Sequence, residues 1–289
     1  MKQPLVTILC LCYNHEAFVA EALQSVFRQT YPHIQLVVMD DGSTDSSASV
    51  IEQTLRDSGD VVWVRHETNR GYTPTLNEAL SYAKGEWIID LAADDVLLPT
   101  RVEEGLRLVN ERGDGCHIHF SDAEIITEGG QFIRKHSDRY PHHTIPQGDI
   151  YLELINRYFI LSPTLMFRRE VLDTIGGYDE NLAFEDFDFL MRASRRFRFC
   201  YSPIPLIQKR MVAGSLSEHQ FKRGSKQRWS TLQVCKKIAD LNRSVEEHRA
   251  LKARLRYEIG LSLRMLDWPV AMAFARFYFR LSSPVTMLM

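Results

Sequence analysis

A chain of 289 residues with 45% hydrophobic content can bury a large core, enough for one sizeable α/β domain and an appendage. A formal net charge of -2 excludes a global electrostatic pull toward nucleic acid, and no apolar run reaches the ~20 residues that a membrane-spanning helix needs. Five cysteines without a CxxC pair suit a reducing cytoplasm, and Met1-Lys2-Gln3-Pro4 leads into a strand with no signal-peptide pattern.

The elements alternate from the start. Residues 5–12 read as a buried strand, with Cys10 and Cys12 as small packing residues. Ala17 to Gln29 reads as a helix with Phe18, Ala22 and Val26 at helical spacing and Pro32 beyond its end. A second strand spans 34–40, and Ser43 or Thr44 is placed to cap a helix running to about Ser58. Val61-Val62-Trp63-Val64 is a third strand. Thr73 caps the next helix, with Pro74 near its first turn, and that helix ends at Ala83. Residues 86–91 form a fourth strand. This alternation predicts a mostly parallel, doubly wound α/β sheet flanked by helices.

After Pro99 a helix runs to about Glu111, then a strand follows near 116–121. A loop and hairpin over 121–147 turns at Gly129-Gly130. A helix near 149–158, a strand over 163–169, a helix over 185–197 and one or two strands over 199–212 complete this part. From Ser217 the sequence is helical and charged, and from Tyr257 it turns apolar and aromatic.

Three acidic clusters carry the chemistry. Asp40-Asp41-Gly42-Ser43-Thr44-Asp45 and Asp94-Asp95 each follow an apolar strand, and open α/β sheets bind ligands at the carboxyl ends of their strands. Both therefore point at one crevice suited to a metal or to ribose hydroxyls. Glu185-Asp186 comes later and can supply a base. Each has a plainer reading: a turn with a helix cap, a solvated loop before Pro99, and a stabilised helix N-terminus. His117 and His119 share a strand face with Asp122 following, where packing is the default over a metal site. His136, His142 and His143 lie in the long loop.

The order of these motifs resembles the family 2 glycosyltransferases, which have the GT-A fold. The resemblance runs from Val6-Thr7-Ile8-Leu9-Cys10-Leu11-Cys12-Tyr13-Asn14 through Asp40-Asp41-Gly42-Ser43, Asn69-Arg70-Gly71, Asp94-Asp95 and Gly176-Gly177-Tyr178-Asp179-Glu180 to Glu185-Asp186. It implies an inverting enzyme that moves a sugar from a nucleotide-diphosphate donor, UDP foremost, to a glycan or lipid-linked acceptor in bacterial cell-surface polysaccharide synthesis. It also implies a GT-A domain over 1–216, with a nucleotide-binding half over 1–98 and an acceptor half over 99–216, and a helical region over 217–289. By the resemblance, Leu11, Asp41, Arg70, Asp94 and Arg210 bind the donor. Asp94 and Asp95 hold Mn²⁺ or Mg²⁺, and Asp186 is the catalytic base.

Two departures stand out. The family's Asp-x-Asp-Asp reads Ala92-Ala93-Asp94-Asp95 here, with Asp90 one strand alternation from Ala92. Its Tyr-Arg-x-His-x-x-Ser reads Lys209-Arg210-Met211-Val212-Ala213-Gly214-Ser215, with His219 nearby but out of register. A catalytically weak or inactive nucleotide- or glycan-binding protein is the alternative they raise. Missing Gly-rich loops after the first strand argue against a nucleotidyltransferase and a dehydrogenase. In the tail, Trp268, Phe274, Phe277, Tyr278 and Phe279 mix with Arg264, Arg276 and Arg280, which suits peripheral membrane contact, packing on its own domain or a homodimer.

Overall fold

The structure is a computed structural model that describes residues 3–140, 144–212 and 223–281. Its strands are β1 (Val6–Cys12), β2 (Ile34–Asp40), β3 (Val62–Arg65), β4 (Trp87–Ala92), β5 (Val96–Leu97), β6 (Ile118–Ile126), β7 (Phe132–Lys135), β8 (Met166–Arg168) and β9 (Phe199–Arg210). The helices are α1 (Val19–Phe27), α2 (Ser47–Leu55), α3 (Tyr72–Tyr82), α4 (Arg101–Arg112), α5 (Tyr151–Asn156), α6 (Arg169–Ile175), α7 (Glu185–Ser194), α8 (Lys226–Leu241), α9 (Val245–Arg264) and α10 (Trp268–Leu281).

Contacts group the chain into two compact units. The first comprises Met1–Gly148, Ile160–Tyr178 and Phe197–Val212 and contains the whole sheet, in the order β3-β2-β1-β4-β8-β6-β9-β5 with β7 on β6. The second comprises Asp149–Phe159, Asp179–Arg196 and Ala213–Met289, and its described elements are helices. Two segments from within the first 216 residues thus pack with the C-terminal helices, because α5 and α7 bury apolar faces there.

β1 is buried at every position, as a strand must be when both sheet faces are covered. It pairs in parallel with β2 and β4, and β2 pairs in parallel with β3. Val6, Ile8, Cys10, Val38, Ile89 and Leu91 form one face of the core with Val19, Leu23 and Ile51 of the helices. Beyond β4 the sheet is mixed. β8 runs antiparallel to β4 and β6, β6 is parallel to β9, and β5 is antiparallel to β9.

Several boundaries differ from the sequence expectation. α2 starts at Ser47 because the Ser43 side chain is turned back onto Asp40. α3 starts at Tyr72, directly after Gly71 at φ 96, so Thr73 lies inside the helix. β5 and α6 are too short to show periodicity. The expectation of unpaired thiols is corrected: Cys116 and Cys200 form a disulfide across neighbouring β6 and β9, while Cys10, Cys12 and Cys235 are free and buried. Among the described residues no helix is long and apolar enough to cross a membrane.

Candidate active site

Sheet register gathers the first two acidic clusters. Cys12 lies opposite Asp40, and Leu11 lies opposite Met39 on one side and Ala92 on the other. The loops that begin at residues 13, 41 and 93 therefore leave the same edge of the sheet. The strand order reverses between β1 and β4, which is where such sheets open a ligand crevice.

Asp41 is 4% exposed and is held by the loop opposite it. Its Oδ1 accepts from the Arg70 backbone N–H at 2.8 Å, and its Oδ2 from the Gly71 N–H at 2.8 Å. His66, missed by the sequence reading, bridges Asp41 Oδ1 at 2.8 Å and Glu78 Oε2 at 3.1 Å. The two loops touch so closely that a Cβ on Gly42, at φ +70, would sit 2.5 Å from the Thr68 carbonyl carbon. Asp40 braces the turn through Ser43, and Asn14 ties the first loop to it by accepting from the Thr44 N–H at 2.8 Å. Arg70's guanidinium reaches Glu78 at 2.9 Å and is 55% exposed, leaving much of it open to solvent. Leu11 contributes backbone, its carbonyl accepting from Ala93 N–H at 2.9 Å.

Asp94 and Asp95 follow β4 and meet the end of β9. Asp95 is fully buried; its Oδ1 accepts from Arg210 N–H at 2.9 Å and Lys209 Nζ at 3.2 Å, while Oδ2 has no partner among the described residues. Lys209 Nζ also lies 3.7 Å from Asp94 Oδ2. Burial pushes the Asp95 carboxyl up to about 7 against the pull of Lys209. Burial opposes the charge of Lys209, but Asp95 and Asp94 outweigh it and hold its pKa above the usual lysine range. Arg210 is buried and engaged on three sides: the Asp94 carbonyl at 2.9 Å, the Glu128 carbonyl at 2.7 Å and Glu21 Oε2 at 2.6 Å. Its guanidinium also stacks 5.0 Å from the Phe18 ring centroid. His15 lies within electrostatic reach of Asp94 and Lys209, and burial lowers its pKa.

These residues do not fit a divalent cation. Ala92 and Val212 carry no donor side chains, and Asp90 accepts from the Tyr72 hydroxyl. No group of three or more His, Cys, Asp and Glu side chains is placed to hold a metal among the described residues. An ion between Asp94 and Asp95 would meet the Lys209 ammonium.

His119 and Asp122 do not join in a metal site. His119 is buried against Arg101, with Nδ1 3.3 Å from its Nη1, and its pKa falls well below the ordinary value through burial and that charge. Asp122 instead accepts from the Ser137 hydroxyl at 2.6 Å, and His117 lies tilted against the Phe197 ring at 5.3 Å. His142, His143, His219 and the expected domain boundary between residues 216 and 217 lie outside the described residues.

In the second unit, Asp186 occupies the first turn of α7, half-buried. Its Oδ2 accepts from the Tyr158 hydroxyl at 2.6 Å and its Oδ1 from its neighbour's Phe187 N–H at 2.8 Å. The Tyr158 ring is itself fixed edge-on to Phe184 and Phe187. Asp188, buried, pairs with Arg192 at 2.8 Å and Lys237 at 2.9 Å, so it is structural. α10 buries Val270, Ala271 and Phe274 and exposes Trp268, Met272 and Phe279.

The model of the family described as Glycosyl transferase family 2 matches residues 7–176. Among curated relatives, an uncharacterized glycosyltransferase of Rickettsia felis is 28% identical over 195 residues, 66% of this chain and 32% of that protein. TuaG of Bacillus subtilis, a putative teichuronic acid biosynthesis glycosyltransferase, is 26% identical over 168 residues, 58% of this chain and 64% of its own. The chain spans about a third of the relatives from Rickettsia felis and Rickettsia bellii, 32% and 30%, and 65% of a Methanocaldococcus jannaschii glycosyltransferase. Among solved structures, S. aureus TarS 1-349 in complex with UDP-GlcNAc has a TM-score of 0.73 at 19% identity, covering 96% of this chain and 81% of that one. Mannosyltransferase PcManGT from Pyrobaculum calidifontis, in complex with GDP-Man and Mn²⁺, has a TM-score of 0.66 at 15% identity, covering 99% and 83%.

Proposed function

The chain belongs to glycosyl transferase family 2, and from that premise we propose that it moves a sugar from a nucleoside-diphosphate donor to a hydroxyl of a glycan or lipid-linked acceptor, with inversion at the anomeric carbon. The observation that carries the reading is the common sheet edge at which β1, β2 and β4 end, where the Asp41 clamp and Asp94 both lie. Asp41 and the 66–71 loop it holds meet the nucleotide. Asp94 lies toward the diphosphate, with Arg210 fixing its backbone. The acceptor oxygen bonds to the anomeric carbon as the bond to the phosphate oxygen breaks. The electron pair leaves on the diphosphate, and the acceptor proton passes to Asp186. A single displacement of this kind needs one base and no covalent nucleophile.

UDP is the preferred nucleotide, supported by the UDP-GlcNAc complex of TarS; the GDP-Man complex of PcManGT makes GDP the competitor. The name of TuaG, a putative teichuronic acid biosynthesis glycosyltransferase, supports a role in bacterial surface polysaccharide synthesis, and the exposed Trp268, Met272 and Phe279 with Arg276 and Arg280 support peripheral contact with a membrane face. A second reading, a binding protein without catalysis, rests on Ala92 and Val212.

The test is donor turnover followed by phosphate-resolved chromatography, with the product anomer read by NMR. The wild type transfers or hydrolyses one nucleotide sugar with inversion. Asp186→Asn lowers that rate by about 10²- to 10⁴-fold, the usual contribution of a general base, with nucleotide affinity unchanged. A wild type that binds nucleotide and turns over no donor selects the second reading, and an Asp186→Asn enzyme at full rate removes Asp186 from the chemistry.

A further inference from the structure

Beside Asp94 and Asp95, the pair that the resemblance assigns to a divalent ion, this chain has a cation of its own. Lys209 Nζ lies 3.2 Å from Asp95 Oδ1 and 3.7 Å from Asp94 Oδ2, beyond the carboxyl end of β4. We propose that the Lys209 ammonium supplies the charge that neutralises the donor's diphosphate, so that donor binding needs no metal. This rests on the nucleotide-sugar reading above.

Five observations support it. The Lys209 side chain is only 15% exposed, so its charge is poorly screened by water and still reachable. It projects from a strand, and the next residue's N–H is bonded to Asp95 at 2.9 Å, so the ammonium is fixed in place. An ammonium has three donors, and the two carboxylates occupy at most two, which leaves one for a phosphate oxygen. The neighbouring cation, Arg210, is committed to Glu21 and two carbonyls. Position 209 is tyrosine in the motif this segment resembles, so the lysine appears together with the loss of the carboxylate at Ala92 and the imidazole at Val212. During transfer Lys209 stays protonated; it gains and loses no bond and only offsets the negative charge that the departing diphosphate acquires.

A plainer role, counter-ion to buried Asp95 and nothing more, makes a different prediction. Calorimetry would compare UDP with uridine, and GDP with guanosine, on wild type, Lys209→Met and Lys209→Arg, each in EDTA and in Mn²⁺, with folding checked by circular dichroism. Electron paramagnetic resonance would follow Mn²⁺ itself. The wild type should bind its diphosphate equally well in EDTA and in Mn²⁺. Lys209→Met should weaken the diphosphate about tenfold or more, the scale of a hydrogen bond to a charged group, and leave the nucleoside unchanged. Lys209→Arg should retain part of the difference.

Diphosphate binding by the wild type only with Mn²⁺, or Mn²⁺ immobilised by the wild type and released by Asp94→Ala, overturns the proposal and leaves the transferase reading intact. Equal diphosphate affinity of folded Lys209→Met and wild type does the same. No nucleotide bound under any condition removes the nucleotide-sugar reading, and the proposal with it. If Lys209→Met does not fold, the wild-type comparison of EDTA with Mn²⁺ decides.

Discussion

Each unit holds a lysine between two aspartates, and the two triplets are built for different ends. In the sheet unit, Lys209 meets Asp94 and Asp95 at 3.7 and 3.2 Å, and its side chain is 15% exposed. In the helical unit, Lys237 on α8 meets Asp179 and Asp188 at 2.6 and 2.9 Å, and its side chain is 38% exposed. Asp95 and Asp188 are equally buried, but their reserves differ. Asp188 also has Arg192 at 2.8 Å, whereas Asp95 beyond Lys209 has one backbone N–H and an oxygen without a partner among the described residues. The helical triplet has redundant, solvent-screened partners, as a brace between helices can. The sheet triplet sets a buried, sparsely partnered carboxylate beside its lysine at the sheet edge that the proposed function gives to the donor. Electrostatic strain of that kind clusters at functional sites.

The largest effect expected is on the loops that leave the same sheet edge as Asp94 and Asp95. Gly42→Ala forces a left-handed backbone that costs about 1–2 kcal/mol, and its Cβ would overlap the Thr68 backbone as well. Thermal unfolding should shift down by several degrees and nucleotide binding should be lost, because the Asp41 clamp on Arg70 and Gly71 can no longer close. An unchanged melting point would show that the loops are not packed as described.

Lys209→Met should come next. It leaves Asp95 with a single donor, an unsatisfied group worth about 1–3 kcal/mol. The loss depends on pH, and its sign follows from burial. The folded-state pKa of Asp95, about 7, lies above its ordinary 3.8. Between these values the folded chain keeps a proton that the unfolded chain has released, so stability falls as pH rises through that window and levels off above it. Removing Lys209 raises the Asp95 pKa further, so denaturant midpoints of Lys209→Met should lie closest to wild type at pH 5 and furthest below it at pH 8.

Lys237→Met should do least, under about 1 kcal/mol, because its pair is partly exposed and Asp188 keeps Arg192. Its pH dependence has the opposite sign. The hydrogen bond from Lys237 lowers the Asp179 pKa below the ordinary 3.8, so the stability it contributes is present above that value and disappears as acid protonates the folded carboxylate. Wild type and Lys237→Met should therefore converge below about pH 4. A Lys237→Met loss as large as that of Lys209→Met would erase the distinction between the two triplets.

The carboxylates themselves were legible in the sequence, and their commitments were not. A run such as Leu36-Val37-Val38-Met39 ending in Asp40-Asp41 marks a strand end, because apolar continuity is a local property of a strand buried on both faces. That Asp41 would spend both oxygens on backbone N–H groups of Arg70 and Gly71 depends on a loop about thirty residues away. His66 had no signal at all, since an isolated histidine after a short strand looks the same whether it bridges two carboxylates or faces water. Arg210 appeared to be a free guanidinium for phosphate, yet the fold surrounds it with Glu21, the Glu128 carbonyl and Phe18, none near it in sequence.

What the sequence by itself determined is the alternation of strands and helices, the parallel first half of the sheet and the placing of acidic residues at its edge. These follow from side-chain periodicity and turn residues over windows of a dozen positions. Tertiary structure alone decided that β9 returns beside β5 and β6, and with it two pairings that span the chain. One joins Cys116 to Cys200 over a separation of 84 residues, and the other brings Lys209 to Asp95 over 114. Strand order within a sheet is settled by which buried surfaces fit and which crossovers close, and no local pattern records it.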